Sequence, residues 1–467
     1  MLDNERILEF EQLVSSIQEE YEIPGLSVAL AENGRTLYAE GFGMRNVGQE
    51  LKATAETVYG IGSVTKSFTA LAIMLLADAG KLAVGDPVRK HLPSFTTGCD
   101  ETDRTVTLFH FLTHTSGLPP TGALRYAMVR SIQDDPSAEK LREDNVWQNW
   151  IDHPPIDSAE DLIQYLAEQH PRLIGPCGSQ FSYSNDAYAL LGAVVERVSG
   201  MPFPDFVEEK ILRPLGMDAS VWEPTDLERF SDVTELYMND GQDNVIAAPY
   251  WNAAPSMLAA GFLKSNVLDL VKYGQVYHGL CNTGLSDQGL AAMTAPQVPC
   301  GRGNFYGFGL MVHPDYHGCT VVEHGGSLKG IAAAFGVVPE SGLTAAVLAN
   351  IVDVPVHRVW LAALNLALGL PLEEPLTREP QYHPGSKEEL QRWVGTYRSD
   401  EGAELVVTLE DEAAYLENKG RKQCIRPSGP GTGAVMYRGS ETGIRFVPGE
   451  DGQVRGIFHG YRFIPKV

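Results

Sequence analysis

The apolar positions change period several times along the chain, and those changes divide it into elements. Ile7, Phe10, Leu13, Val14, Ile17 and Tyr21 fall three or four apart, which predicts an amphipathic helix over 4–21, stopped by Pro24. GLSVALAENGRTLYAEGFGMRNV then sets two apolar-rich runs about Asn33-Gly34, a pair that tolerates the positive φ angles of a tight turn, and predicts a β-hairpin. Residues 63–79 (SVTKSFTALAIMLLADA) read as a strongly apolar helix ended by Gly80. Residues 120–175 are mixed and polar, with Trp147 and Trp150, and are read as a helical insertion covering a scaffold. Helical spacing returns over 186–216, 258–278 and 353–368, and strand-like runs occupy 306–312, 319–324, 331–338 and 343–350. A hairpin near the N-terminus and strands near residue 340, with helices between, predict one antiparallel sheet assembled from both ends of the domain and flanked by helices, an α/β (α+β) fold.

After residue 370 the pattern shifts. LPLEEPLTREPQYHPGSKE is rich in proline and charge and reads as a linker. Beyond it, short apolar runs alternate with turn residues, among them Asp451-Gly452, as in a small all-β barrel-like domain. The expected division is 1–372, a linker at 373–388, and 389–467. A length of 467 residues fits that division.

Composition excludes several classes. With 43% apolar and 21% charged residues the chain is not globally disordered. Its 36 basic and 60 acidic residues give a net charge of −24, which argues against nucleic acid or an anionic membrane as partner. No run approaches the roughly 18 apolar residues of a spanning helix. The start, MLDNERILEFEQLV, lacks the apolar block of a signal peptide, so a cytoplasmic location is expected if Met1 is native. Six scattered cysteines without a CxxC pair suggest reduced thiols.

The candidate chemistry begins at Ser63-Val64-Thr65-Lys66, which opens the apolar helix. Residues three apart share a helix face, so Lys66 can reach the Ser63 hydroxyl. Unpaired N–H groups at a helix start favour developing negative charge, and burial would lower the lysine pKa until it can accept the serine proton. The other S-x-x-K, Ser137 to Lys140, lies in DDPSAEKLRED, where an N-cap and a solvated charge suffice. In Tyr183-Ser184-Asn185, a phenol near an ammonium can shuttle a proton and an amide can hold a substrate carbonyl. The pattern Y-x-N recurs at Tyr237 and Tyr250, where a packed tyrosine is the plainer reading. His324-Gly325-Gly326-Ser327 ends a strand, and paired glycines there let a ligand approach the backbone, so that the N–H groups of Ser327 and Ser63 can serve an oxyanion. His383-Pro384-Gly385 matches the same H-x-G but sits in the linker.

Taken together with YGIGSVTKSFTA, LFHFLTHTSGLP, FSYSNDAYALLGAVVERVSG, ILRPLGM, AAGFLKS and YGFGLMV, these pieces resemble the serine β-lactamase and penicillin-binding-protein superfamily over roughly 5–365, in its class C-like branch. The resemblance implies Ser63 as acylated nucleophile, and Lys66 and Tyr183 as general base and acid with their order open. It further implies Asn185 as orienting the substrate, His324 as lining the strand side, and Ser63 and Ser327 N–H groups as the oxyanion hole. His114 in LTHTSGL is read as structural, packing and bonding a loop. The C-terminal part resembles the lipocalin-like barrels of some members through Trp393, Gly395 and Tyr397.

One departure bears on substrate. The β-lactamase pattern carries Lys-Thr-Gly on this strand, and no K-T-G occurs here. A neutral histidine holds a carboxylate less well than lysine, which argues against penicillins or a free C-terminal D-alanine as substrate. Histidine here is usual in the esterase and aminopeptidase members, so the resemblance tilts the expectation toward a small-molecule ester, amide or small peptide, D-amino-acid peptides included. The alternatives are a penicillin-binding protein or β-lactamase-type enzyme acting on β-lactams or D-alanyl peptides, and a silent scaffold of the same fold. The intact Ser63, Lys66 and Tyr183 set favours activity. No metal or organic cofactor is implied, and a homo-oligomer is left open. G-x-S-x-G, G-x-G-x-x-G and H-E-x-x-H are all absent.

Overall fold

The computed structural model describes residues 2–138, 153–240, 244–281, 283–377, 380–418, 420–437 and 440–467. Lys140, Trp147 and Trp150, singled out above, lie outside the described residues.

The hairpin about Asn33-Gly34 forms as expected, with φ of +48° and +76° at those two residues. It joins β1 (Gly25–Glu32) to β2 (Arg35–Asn46). With β3 (Leu51–Lys52), β4 (Val298–Gly301), β5 (Asn304–Tyr306), β6 (Met311–Tyr316), β7 (Cys319–Leu328), β8 (Ile331–Val338) and β9 (Leu343–Ala349) these strands make one antiparallel sheet in the order β3-β2-β1-β9-β8-β7-β6-β5-β4. The N-terminal hairpin and the strands near residue 340 meet where β1 pairs with β9, Leu26 opposite Ala349.

Strands β1, β8 and β9 are buried on both faces, and period-two alternation assigns each side chain to a layer. Leu26, Val28, Leu30, Ala334 and Val347 pack under α1 (Asn4–Glu20) and the C-terminal helix of this part, Val356–Leu368. Ala29, Ala31, Ala333, Phe335 and Leu348 face a larger core built on α2 (Thr65–Asp78) and α3 (Asn185–Ser199).

Three elements differ from the sequence reading. Ser63 lies in a 3-10 turn, Gly62–Val64, just ahead of α2. The stretch 258–278 is interrupted by a two-residue strand, Lys264–Ser265, paired with Tyr59–Gly60. The run 306–312 is not one strand: Tyr306 ends β5, Met311 begins β6, and Gly307 N–H donates to Leu310 C=O across the turn between them. Apolar side chains were needed there to cover α2, and they masked the turn.

After the helix Lys387–Trp393, capped by Ser386, the chain forms sheets of four and five antiparallel strands. Their shared core includes Tyr397, Leu416 and Ile457, and Trp393 stacks on Phe446 with centroids 4.4 Å apart. Val467 N–H donates to Thr396 C=O at 2.9 Å, so the last residue of the chain closes onto the first of these strands. Among the described residues no helix is long and apolar enough to cross a membrane.

What places Ser63 is the approach of β7 to its turn. A Cβ on Gly326 would fall 2.0 Å from the Ile61 carbonyl oxygen, and one on Gly62, whose φ is +51°, would fall 2.6 Å from Ser327 N. Backbone packed on backbone has no side chain to yield. Gly326→Ala is therefore expected to cost about 1–3 kcal/mol by forcing the strand and turn apart. The check is a urea denaturation curve, and an unchanged midpoint would contradict this packing.

Candidate active site

Lys66 is fully buried on the first turn of α2. Its Nζ lies 3.2 Å from Ser63 Oγ, 2.8 Å from Asn185 Oδ1 and 2.5 Å from Ala260 C=O. Burial, and secondarily the charge of Arg462, push its pKa well below the ordinary lysine value, against the opposing pull of Glu401 and Asp186. A neutral amine satisfies this geometry: its two N–H bonds go to the two carbonyl oxygens, and its lone pair faces the serine hydroxyl.

Tyr183 and Asn185 come from the segment leading into α3, where Ser184 caps the helix by accepting from Ala187 N–H. The Tyr183 hydroxyl is buried and makes no hydrogen bond of good geometry within the described residues. Burial raises its pKa, opposed by Ser63 and Arg462. The ring centroid is 4.8 Å from Lys66 Nζ. Asp186, the next residue after Asn185, is buried and accepts from Thr121 Oγ1 at 2.6 Å, and burial pushes its pKa up to about 6.

His324, on β7, has both ring nitrogens engaged. Nδ1 meets the Gly325 carbonyl at 2.5 Å, so it carries the proton, and Nε2 accepts from the Tyr306 hydroxyl at 3.1 Å. Burial, then Lys66, push its pKa down to about 4. It is a fixed, neutral wall. The backbone of Gly325, Gly326 and Ser327 continues that wall, and Gly325 also touches the far side of the sheet, where a Cβ would meet His357 Cε1 at 2.7 Å.

Ser63, Tyr183, Asn185 and His324 line a cavity of about 950 Å³ that also extends past His357, Trp360 and Glu374 on the other face of the sheet. The competing motif matches lie elsewhere. Ser137 Oγ donates to Asp135, Tyr237 donates to Glu235, and His383 N–H donates to the Pro427 carbonyl.

Over residues 10–368 the chain matches the model of the Beta-lactamase family. The chain belongs to the Beta-lactamase family. Members of this family are serine hydrolases. Protein flp of Staphylococcus aureus is 25% identical over 355 residues, which is 75% of this chain, and the chain spans 64% of that relative's length. Penicillin-binding protein 4* of Bacillus subtilis is 25% identical over 459 residues, covering 94% of this chain and 93% of its own. The octameric penicillin-binding protein homologue from Pyrococcus abyssi superposes with a TM-score of 0.70 at 29% identity, over 98% of this chain and 99% of that one. The last two likenesses run through the C-terminal strands as well as the family region.

Residues that the sequence reading missed come from those strands and the turns between them. Arg462, Tyr461 and Glu401 line the cavity. Arg462 Nη2 donates to Glu401 Oε1 at 2.9 Å, with Nε facing the other carboxylate oxygen, and its guanidinium lies 5.0 Å from the Tyr183 ring centroid. No local signal marks them, because they are about 280 and 220 residues from Tyr183. Only the turn His459-Gly460-Tyr461-Arg462, with positive φ at Gly460 and Tyr461, has a readable hairpin character.

The neutral state of His324 has a consequence for stability. In the unfolded chain a histidine binds a proton near pH 6.5, and in the folded site only near 4, so the unfolded state binds more protons between these values. Stability is therefore complete above about pH 6.5 and falls as pH drops toward 4, by of order 3 kcal/mol from this group. Denaturation curves at a series of pH values should show a smaller loss in His324→Gln than in wild type. An equal loss in both would contradict the assignment.

Proposed function

We propose that the protein is a serine hydrolase that forms an acyl-enzyme on Ser63 with esters, amides or small peptides. The observation that carries this is the Lys66 amine, buried, held by Asn185 and Ala260, and 3.2 Å from Ser63 Oγ. Ser63 Oγ attacks the substrate carbonyl carbon and its proton passes to Lys66 Nζ. The resulting oxyanion is held by the N–H groups of Ser63 and Ser327, a role supported by the close approach of β7 to the Gly62–Val64 turn. As the carbonyl re-forms, the leaving group takes the Tyr183 phenol proton, and Lys66 returns a proton to Tyr183. Water then attacks the acyl-enzyme by the reverse proton path and frees Ser63. Asn185, whose Oδ1 is occupied by Lys66, presents its amide nitrogen to the substrate.

A second reading, acylation by β-lactams or peptides ending in a free carboxylate, has one observation in its favour. The strand lacks the lysine of K-T-G, but Arg462 brings a cation to the same cavity.

Ser63→Ala should reduce hydrolysis of a short-chain p-nitrophenyl ester by at least about a thousandfold and abolish any acyl adduct seen by intact-protein mass. Lys66→Met should lose acylation comparably while Ser63 remains present. Equal turnover by wild type and Ser63→Ala would overturn the proposal, and no turnover or adduct in wild type with esters, amides and β-lactams would favour the silent scaffold.

A further inference from the structure

Three consecutive backbone N–H groups around Tyr183 are taken by distant parts of the chain. Ser182 N–H donates to His114 C=O at 2.8 Å, Tyr183 N–H to Tyr461 C=O at 2.8 Å, and Ser184 N–H to His114 Nδ1 at 3.0 Å. Phe463 N–H donates back to Ser182 Oγ at 3.2 Å. The segment is thus gripped on one side by His114, whose ring centroid is 4.3 Å from that of Tyr183, and on the other by the turn that ends at Phe463. That turn also lays the Arg462 guanidinium against the Tyr183 ring and anchors it on Glu401. The His114 grip belongs to the family region. The other belongs to the C-terminal sheet.

We propose that the Tyr461–Arg462 turn of the C-terminal sheet is a positioning element of the Ser63 reaction, fixing the Tyr183 segment through Tyr461 and setting the charge around the phenol through Arg462. The proposal rests on the roles given to Ser63, Lys66 and Tyr183 above. It gives the C-terminal strands a part in proton transfer that is independent of what the substrate carries.

A cation beside a phenol favours the phenolate, which helps Tyr183 release its proton to a leaving group, and it also favours a neutral amine at Lys66. Arg462 acts in both senses here, and Glu401 opposes it at both groups. The other titratable groups around the phenol are accounted for by element. Lys66 faces it from α2, His114 from the loop before residue 115, Asp186 and Tyr188 from α3, and Tyr306 and His324 from β5 and β7. Both histidines are pushed toward neutrality by burial. Arg462, from the five-stranded C-terminal sheet, and Glu401, from the turn between Arg398 and Glu404 in the four-stranded one, are the charges that enter from the C-terminal strands, and each can be changed while Ser63, Lys66 and Tyr183 are kept.

The test uses the full chain and a neutral p-nitrophenyl ester, so that carboxylate binding plays no part. Arg462→Gln should lower kcat about 100-fold with little change in KM, and should move the rising limb of the kcat–pH profile to higher pH. Arg462→Lys should recover part of both, and Glu401→Gln should move the limb the opposite way. Circular dichroism and thermal melting establish that each variant is folded. If Arg462→Gln does not fold, the direction of the Glu401→Gln shift decides. A wild-type kcat and profile in Arg462→Gln, a Glu401→Gln shift in the same direction, or a defect confined to KM for carboxylate-bearing substrates would overturn the proposal. Failure of the underlying reading is seen separately, as undiminished turnover in Ser63→Ala.

Discussion

A lysine amine removed from water is the constraint on which the rest of this structure depends. Charged, it would have to be compensated in an apolar interior. Neutral, it needs acceptors for two N–H bonds and something for its lone pair. The fold supplies these from three places: the amide of Asn185 at the start of α3, the carbonyl of Ala260, and Ser63 one helical turn away. Each partner is fixed in turn. Asn185 follows a capped helix start, Ala260 sits in the short helix Leu258–Gly261, and Ser63 is pressed between α2 and β7 by contacts that only glycine at 62 and 326 permits. The apolar core around α2 is what keeps water from the amine, so packing and reactivity are one arrangement.

On β7 a histidine stands where the β-lactamase pattern carries the lysine of K-T-G. A neutral imidazole with both nitrogens bonded costs no charge burial and keeps the strand edge rigid. Positive charge enters instead from the C-terminal sheet as Arg462, already partnered by Glu401, at the side of the cavity where Tyr183 lies.

Much of this was legible in the sequence because it is local. Ser63 and Lys66 are three residues apart, the Asn33-Gly34 turn announces its own geometry, and β1, β8 and β9 read as apolar runs because both of their faces are covered. The break between β5 and β6 was hidden because its apolar residues serve the core beneath it, so that hydrophobicity and strand period gave conflicting signals. Arg462, Tyr461 and Glu401 were hidden for a different reason. Their role exists only once the C-terminal strands dock beside Tyr183, and nothing in a strand's own pattern says what its turn will touch. His114 was read correctly as bonding a loop, but its importance lies in which loop that is.

The most direct test of the central claim is the ionisation of Lys66, followed by NMR of protein carrying lysine labelled at Cε and Nζ. The account predicts one resonance, absent from Lys66→Met, that titrates well below the ordinary lysine range. A Lys66 signal that titrates with the surface lysines near pH 10.4 would contradict it, because Ser63 would then face a permanent ammonium with no lone pair to take its proton.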